Sequence, residues 1–146
     1  MTRQFYKFSA FVCIILEKDN KVLLIKRANT GHMDGFWSLP GGGLDEGETL
    51  AQAVIRETRE EINVEIDLQH LQLIHTLHRK EKSDVLGFFF SATTWSGELK
   101  NNEPERHSHM EWFEIDNLPK DFAPSGIKAL HAYKKQLRYS EDYNLE

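Results

Sequence analysis

The sequence predicts a mixed α/β (α+β) protein, because strand-like segments and two amphipathic helices alternate along one chain. Runs rich in Val, Ile, Phe and Leu, each bounded by turn residues, supply the strands. Two stretches with apolar residues at helical spacing supply the helices. A length of 146 residues suits one domain, 1–146, with a packed core over about 5–137.

Phe5 to Glu17 reads as a long first strand, and Asp19-Asn20 as a turn. Lys21 to Arg27 is a second strand, with Val22, Leu23, Leu24 and Ile25 apolar on both faces. Ala28 to Gly35 is rich in turn residues and leads to a short extended piece at Phe36 to Leu39. Pro40-Gly41-Gly42-Gly43 cannot continue a regular element. Thr49 and Gln52 then form a Thr-x-x-Gln capping box, so a helix is expected from about Leu50 to Ile62. Asn63 tolerates positive φ and suits its left-handed end. Leu68 to Arg79 and Val85 to Trp95 read as strands joined near Glu81 to Asp84. Asn101 to His109 is a polar loop, and Met110 to Ile115 another strand. Ser125 to Leu137 is a terminal helix, with Ile127, Leu130, Tyr133 and Leu137 at helical spacing. Residues 141–146 are polar and expected to fray.

Composition narrows the function. The longest apolar run, Ala10 to Leu16, is too short for a bilayer span of ~20 residues, so no membrane is expected. No export signal is legible, and the single cysteine, Cys13, reads as a buried small hydrophobe. Both fit a reducing, cytoplasmic setting. A net charge of −5 argues against broad nucleic-acid binding. It also sets a puzzle for any phosphate substrate, which a bound divalent cation would resolve.

On a helical wheel, Leu50, Ala53, Val54, Glu57 and Glu61 share one stripe, and Glu60 lies about 60° from Glu57. Two carboxylates thus continue the face that should pack inward. Grouping like charges there is costly unless a cation joins them. Arg56 can pair with Glu60 at i,i+4, but one guanidinium does not neutralise three carboxylates. Hard oxygen donors on one helix face suit Mg²⁺ or Mn²⁺. Ile55 and Ile62 form a second apolar edge, which predicts a helix packed on two sides.

Gly42-x5-Glu48-x7-Arg56-Glu57-Thr58-Arg59-Glu60-Glu61-Ile62-Asn63-Val64 resembles the Nudix box, Gly-x5-Glu-x7-Arg-Glu-U-x-Glu-Glu-x-Gly-U, where U is bulky and aliphatic. Every charged position is present; Thr58 and Asn63 are the two departures. Trp37-Ser38-Leu39-Pro40-Gly41-Gly42 and Met110 to Pro119 are similar to the flanks of MutT-like members. The resemblance implies the Nudix fold, a mixed sheet between helices in an α/β/α sandwich. It implies Glu57, Glu60 and Glu61 as metal ligands, with the Gly41 carbonyl as a further one and Glu48 auxiliary to the cluster. Arg56 would orient the carboxylates. The general base is open between Glu57, Glu61 and the loop residue Glu103. Arg27 resembles a phosphate-contacting arginine, Ser38 occupies a place that often faces the base, and Phe36 could stack on it. Phe88 to Phe90, Trp37 and Trp112 read as packing, Asp121-Phe122 as a weaker ligand contact, and His107-x-His109 as incidental. The implied reaction is cleavage of a nucleoside triphosphate to monophosphate and pyrophosphate. ADP-ribose or a nucleotide sugar is the alternative substrate, and a non-catalytic nucleotide-binding regulator the alternative class. A homodimer is compatible with the family.

Overall fold

The computed structural model describes residues 2–143. Its strands are β1 (Ser9–Lys18), β2 (Lys21–Arg27), β3 (Trp37–Ser38), β4 (Gly41–Gly43), β5 (Gln72–Lys80), β6 (Val85–Ala92), β7 (His107–Glu114) and β8 (Tyr139–Tyr143); its helices are α1 (Leu50–Ile62) and α2 (Pro124–Lys135). The strands form one mixed sheet in the order β3-β2-β1-β6-β5-β8, with β4 added to β1 and β7 to β2. β1 runs parallel to β6 and β5 parallel to β8, whereas the β1–β2 and β5–β6 pairs are antiparallel.

Alternation along the strands divides the core into two layers. Val12, Ile14, Leu16, Leu23 and Ile25 pack with Ala53, Val54 and Ile62 of α1. Ile15, Val22, Leu24, Leu77 and Phe89 pack with Ala129 and Leu130 of α2 on the other face. The doubly apolar β2 is therefore explained: Val22 and Leu24 serve one helix, Leu23 and Ile25 the other. The sheet lies between two helices, as the α/β/α expectation requires. No helix among the described residues is long and apolar enough to cross a membrane.

Several expected boundaries change. β1 starts at Ser9 rather than Phe5, because its ladder with β6 begins at Ser9 opposite Val85. Phe5, Tyr6 and Phe8 stay exposed, with the Tyr6 and Phe8 rings edge to face at 5.3 Å. Leu68–His70 forms a single 3-10 turn before β5. Ile55 is only half-buried and Ile62 joins the same core as Val54, so α1 packs mainly on one face. The largest correction is the C-terminus. Residues 141–143, expected to fray, instead complete β8, held by the ladder from Thr76 opposite Tyr139 to Lys80 opposite Tyr143. Buried His75 fixes it further, its Nδ1 2.9 Å from the Leu137 carbonyl and its Nε2 2.7 Å from Ser140 Oγ. Residues 144–146 lie outside the described residues.

Candidate active site

Helix α1 carries the site, and its ends are fixed by its own sequence. Gln52 N–H donates to Thr49 Oγ1 (3.1 Å) and Thr49 N–H to Gln52 Oε1 (2.9 Å), completing the capping box. Asn63 ends the helix in the left-handed region at φ 64°. Thr58, on the buried side, donates its hydroxyl to the Val54 carbonyl (2.7 Å). That local bond satisfies a polar group where an aliphatic residue is usual.

The apolar stripe does run into carboxylates. Glu61 is 6% exposed although ionisable, Glu57 is largely covered, and Glu60 faces solvent. β4 lies directly over them. Gly41 N–H donates to Glu61 Oε2 (3.2 Å). A Cβ on Gly42 would sit 2.4 Å from Glu57 Oε1, so only glycine lets the strand approach this carboxylate.

Arg56 organises the acids from the other side. Its Nε and Nη2 donate to the two oxygens of Glu48 (2.7 and 3.0 Å), Nη1 to Glu57 (2.9 Å) and Glu60 (3.2 Å), and Nη2 to the Gly43 carbonyl (3.0 Å). Asp45 adds a carboxylate 3.3 Å from Nε. Sequence alone offered no signal for Asp45, whose role depends on how the loop before α1 folds. The hydrogen bond from Arg56 holds the Glu48 carboxyl below its usual range. Burial pushes the Glu61 carboxyl well above its ordinary value, and the neighbouring Glu57 adds to the shift. Glu57 is raised too, chiefly by burial and against the pull of Arg56.

Among the described residues, no three carboxylate, imidazole or thiol groups already converge to hold a metal. Arg56 draws Glu57 and Glu60 aside and occupies both oxygens of Glu48. The remaining donor set still fits a small hard cation. Mg²⁺ takes one or two carboxylates and keeps several waters, and Glu57 and Glu61 are a covered pair one helical turn apart whose shared charge calls for a counter-ion.

Two loops flank this pair. The loop 100–106 is tied to the C-terminal turn of α1: Lys100 N–H donates to the Ile62 carbonyl, Asn102 N–H to the Glu61 carbonyl, and Asn102 Nδ2 to the Arg59 carbonyl. These anchors bring Glu103 close enough to Glu61 to help raise its pKa. The second loop follows Arg27, whose Nε donates to the His32 carbonyl (2.8 Å) and Nη2 to Thr30 Oγ1 (3.2 Å). The loops are joined, because Ala28 N–H donates to the Arg106 carbonyl and Asn29 Nδ2 to the Glu105 carbonyl, both at 2.9 Å. Ser38 is half-buried opposite Ile25 in the β2–β3 pair, and Phe36 is 38% exposed at the loop end.

Other expectations are redistributed. Trp37 is buried with its ring 4.8 Å from Phe113, and Trp112 stacks on Trp95 at 6.1 Å, so both tryptophans pack. Asp121 accepts Trp37 N–H with its backbone carbonyl while its half-exposed carboxylate lies 3.8 Å from Lys26 Nζ, and Phe122 is core. His107 is no loop residue: it opens β7 opposite Arg27, nearly fully buried, with Nδ1 unpartnered. Burial, then Arg106 and Arg27, lower its pKa to about 4, so it stays neutral. Burial pushes the Cys13 thiol far up, in keeping with an inert packing role. The groove between β5 and α2, lined by Gln72, Leu73, Tyr133 and Arg138, contains none of the site residues.

A mixed sheet between two helices, with a charged helix face under a glycine strand and cationic and acidic loops beside it, defines an α/β protein built to handle polyanionic phosphate. The chain belongs to the Nudix family: the NUDIX domain model matches residues 6–133. It is a MutT-like Nudix hydrolase. An 8-oxo-dGTP diphosphatase of Escherichia coli is 30% identical over 132 residues, covering 90% of this chain and 98% of that protein. An ADP-ribose pyrophosphatase of Methanocaldococcus jannaschii is 37% identical over 107 residues, covering 73% of this chain but only 62% of that protein. The crystal structure of a MutT NUDIX hydrolase from Burkholderia pseudomallei superposes with a TM-score of 0.78 at 28% identity, covering 86% of this chain and 97% of that one.

Proposed function

We propose that this protein is a Mg²⁺-dependent nucleoside-triphosphate pyrophosphohydrolase that releases a monophosphate and pyrophosphate. The observation that carries this reading is the Glu57–Glu61 pair, covered by Gly41 and Gly42 and steered by Arg56, with Arg27 and Glu103 on joined loops beside it. Residues 5–137 act together as one Nudix domain. Bound at Glu57, Glu61 and Glu60, a divalent ion would neutralise the diphosphate and lower the pKa of an attacking water. Everything else falls to the chain. Arg56 holds Glu57 and Glu60 in place through one rigid fork. Glu48 acts through Arg56 as a positioning residue. Arg27 binds a phosphate oxygen with its free N–H groups. We assign the general base to Glu103, the flanking carboxylate neither committed to Arg56 nor buried in the pair. Ser38 and Phe36 border the base.

The triphosphate class is favoured over ADP-ribose by the near full-length match to an 8-oxo-dGTP diphosphatase. ADP-ribose is the second reading, supported by the higher identity over a shorter span. The net charge of −5 speaks for a small diffusible substrate rather than nucleic acid. A lone, half-buried free cysteine supports a reducing, cytoplasmic setting. A hydrolysis screen over nucleoside triphosphates, ADP-ribose, nucleotide sugars and dinucleoside polyphosphates, with Mg²⁺, Mn²⁺ or EDTA, tests the reading. Metal-dependent release of pyrophosphate from a triphosphate is expected. Binding without turnover on every compound would identify a regulatory module instead. Glu103→Gln is expected to lower kcat while KM is held; full kcat would remove Glu103 as the base.

A further inference from the structure

We infer that Asp34 is a positioning residue for Arg27, acting through Thr30, and so contributes to substrate phosphate binding without touching the substrate. The inference rests on the proposal that Arg27 contacts phosphate. Strand β2 ends at Arg27, and residues 28–35 return to the same point: Gly35 N–H donates to the Arg27 carbonyl (2.8 Å) and Arg27 N–H to the Phe36 carbonyl (3.0 Å). Nothing in that closure orients the guanidinium. Asp34 does so by organising the interior of the loop. Its carboxylate accepts from Thr30 N–H (3.1 Å), Gly31 N–H (2.9 Å) and the Thr30 hydroxyl (2.5 Å).

Thr30 Oγ1 lies 2.5 Å from Asp34 Oδ1 and 2.9 Å from the His32 carbonyl; its single proton goes to the nearer, anionic oxygen, which leaves the lone pairs of Oγ1 free to accept. They take Arg27 Nη2 (3.2 Å) and His32 N–H (3.2 Å). The latter bond closes the short turn that carries the His32 carbonyl, and this carbonyl accepts Arg27 Nε at 2.8 Å. Both points that hold the guanidinium therefore trace back to one carboxylate. The hydrogen bond from Thr30 and the backbone N–H of Gly31 keep the Asp34 carboxyl below its usual range, so the anchor is ionised at neutral pH. A guanidinium has five N–H donors. The loop uses two, leaving three on the far side for an anionic ligand, already oriented before it arrives. Pre-orientation of a long side chain lowers the entropy cost of binding.

The same loop is bound to the Glu103 loop through Asn29 and Ala28. Asp34 therefore sets Arg27 relative to the acidic side of the site as well. The loop is exposed and carries none of the core, so its effect should fall on substrate affinity rather than on stability.

The test is a double-mutant cycle on the best substrate of the screen above, with thermal melts in parallel. Asp34→Ala and Thr30→Val are each expected to raise KM roughly five- to tenfold with kcat within about twofold, while Thr30→Ser stays near wild type. Arg27→Ala should raise KM by at least as much, and adding Asp34→Ala to it should cause no further loss. If Arg27→Ala weakens binding but Asp34→Ala and Thr30→Val do not, the inference falls and the reading of Arg27 stands. Fully additive losses would mean that Asp34 acts independently of Arg27, which also overturns it. An Arg27→Ala variant with unchanged KM removes the phosphate contact itself, and failure of the wild type on every compound removes the hydrolase reading; the inference falls with either.

Discussion

The three glycines of β4 separate catalysis from folding, and Gly42→Ala is the sharpest probe of the site. The new Cβ would stand 2.4 Å from Glu57 Oε1, 2.6 Å from Cδ and 2.8 Å from Oε2. The β4 backbone cannot yield, since Gly42 is paired with Val12 in the sheet. Glu57 must therefore retreat by about 1 Å to reach an ordinary contact of 3.4 Å. A misplacement of about 1 Å in a positioned catalytic group costs on the order of 100-fold in rate, or about 2.7 kcal/mol of transition-state stabilisation. Stability should hardly change, because only the far end of one side chain moves; a loss of about 1 kcal/mol would shift Tm by roughly 2–4 °C. Gly41→Ala behaves oppositely. Its Cβ would meet main-chain atoms, Val12 O at 2.0 Å and Cys13 Cα at 2.8 Å, so the β1–β4 pair must separate. That variant should lose about 3 kcal/mol or fail to fold. Gly43→Ala, with nothing within 4 Å of its Cβ, should keep both properties. Steady-state kinetics with saturating Mg²⁺ and thermal melts on all three variants provide the check. Wild-type kcat in Gly42→Ala would refute the placement of Glu57 in the metal site.

Glu61→Gln is expected to lower kcat at least 100-fold and to change the pH dependence of the metal-free protein. Because the Glu61 pKa is raised in the fold, the folded state holds more protons than the unfolded one above the ordinary glutamate value of 4.5, so EDTA-treated protein should lose stability as pH rises from there. The variant, or added Mg²⁺, should flatten that fall; a wild-type Tm in EDTA that climbs over the same range contradicts the buried carboxylate pair. Arg56→Lys cannot reproduce the fork to Glu48, Glu57 and Glu60, and roughly 10- to 100-fold loss in kcat is expected, with a higher Mg²⁺ requirement. Ser140→Ala removes one of the two partners of buried His75 and should cost about 1–2 kcal/mol with kcat unchanged, measured by urea unfolding; unaltered stability would mean that β8 is not latched there.

Local chemistry was the part of this molecule that its sequence made legible. Helix α1 begins and ends where the Thr49–Gln52 box and Asn63 place it, because capping uses only neighbouring residues. β2 was recognisable because four consecutive apolar residues need two packed faces. β8 was not, since Tyr139-Ser140-Glu141-Asp142-Tyr143 is a polar edge strand with only Ser140 and Asp142 half-covered. Its formation depends on β5, more than 60 residues earlier in the chain. The start of β7 was hidden for a similar reason: His107 follows a polar loop, yet its backbone pairs with Arg27 and its ring is buried. The Glu103 loop shows the same limit. Glu103 was identifiable as a candidate, but nothing in Lys100-Asn101-Asn102 announces that its backbone and an amide will cap the far end of α1.

The conflict between an acidic protein and an anionic substrate is met by placement rather than by net charge. Arg56 is shared among Asp45, Glu48, Glu57 and Glu60, so the helix face keeps its carboxylates in order without an excess of basic residues. Glu61 is left outside that network, buried under Gly41 and beside Glu57, where its charge has no side-chain cation to answer it. A divalent ion held by Glu57 and Glu61 would answer that deficit and supply positive charge for a diphosphate. On the proposed reading, Arg27 would be left only the task of orienting the substrate's phosphate. The loop at residues 28–35 holds one cation, Arg27, at the end of β2, and on that reading a net charge of −5 is no obstacle to a polyphosphate substrate.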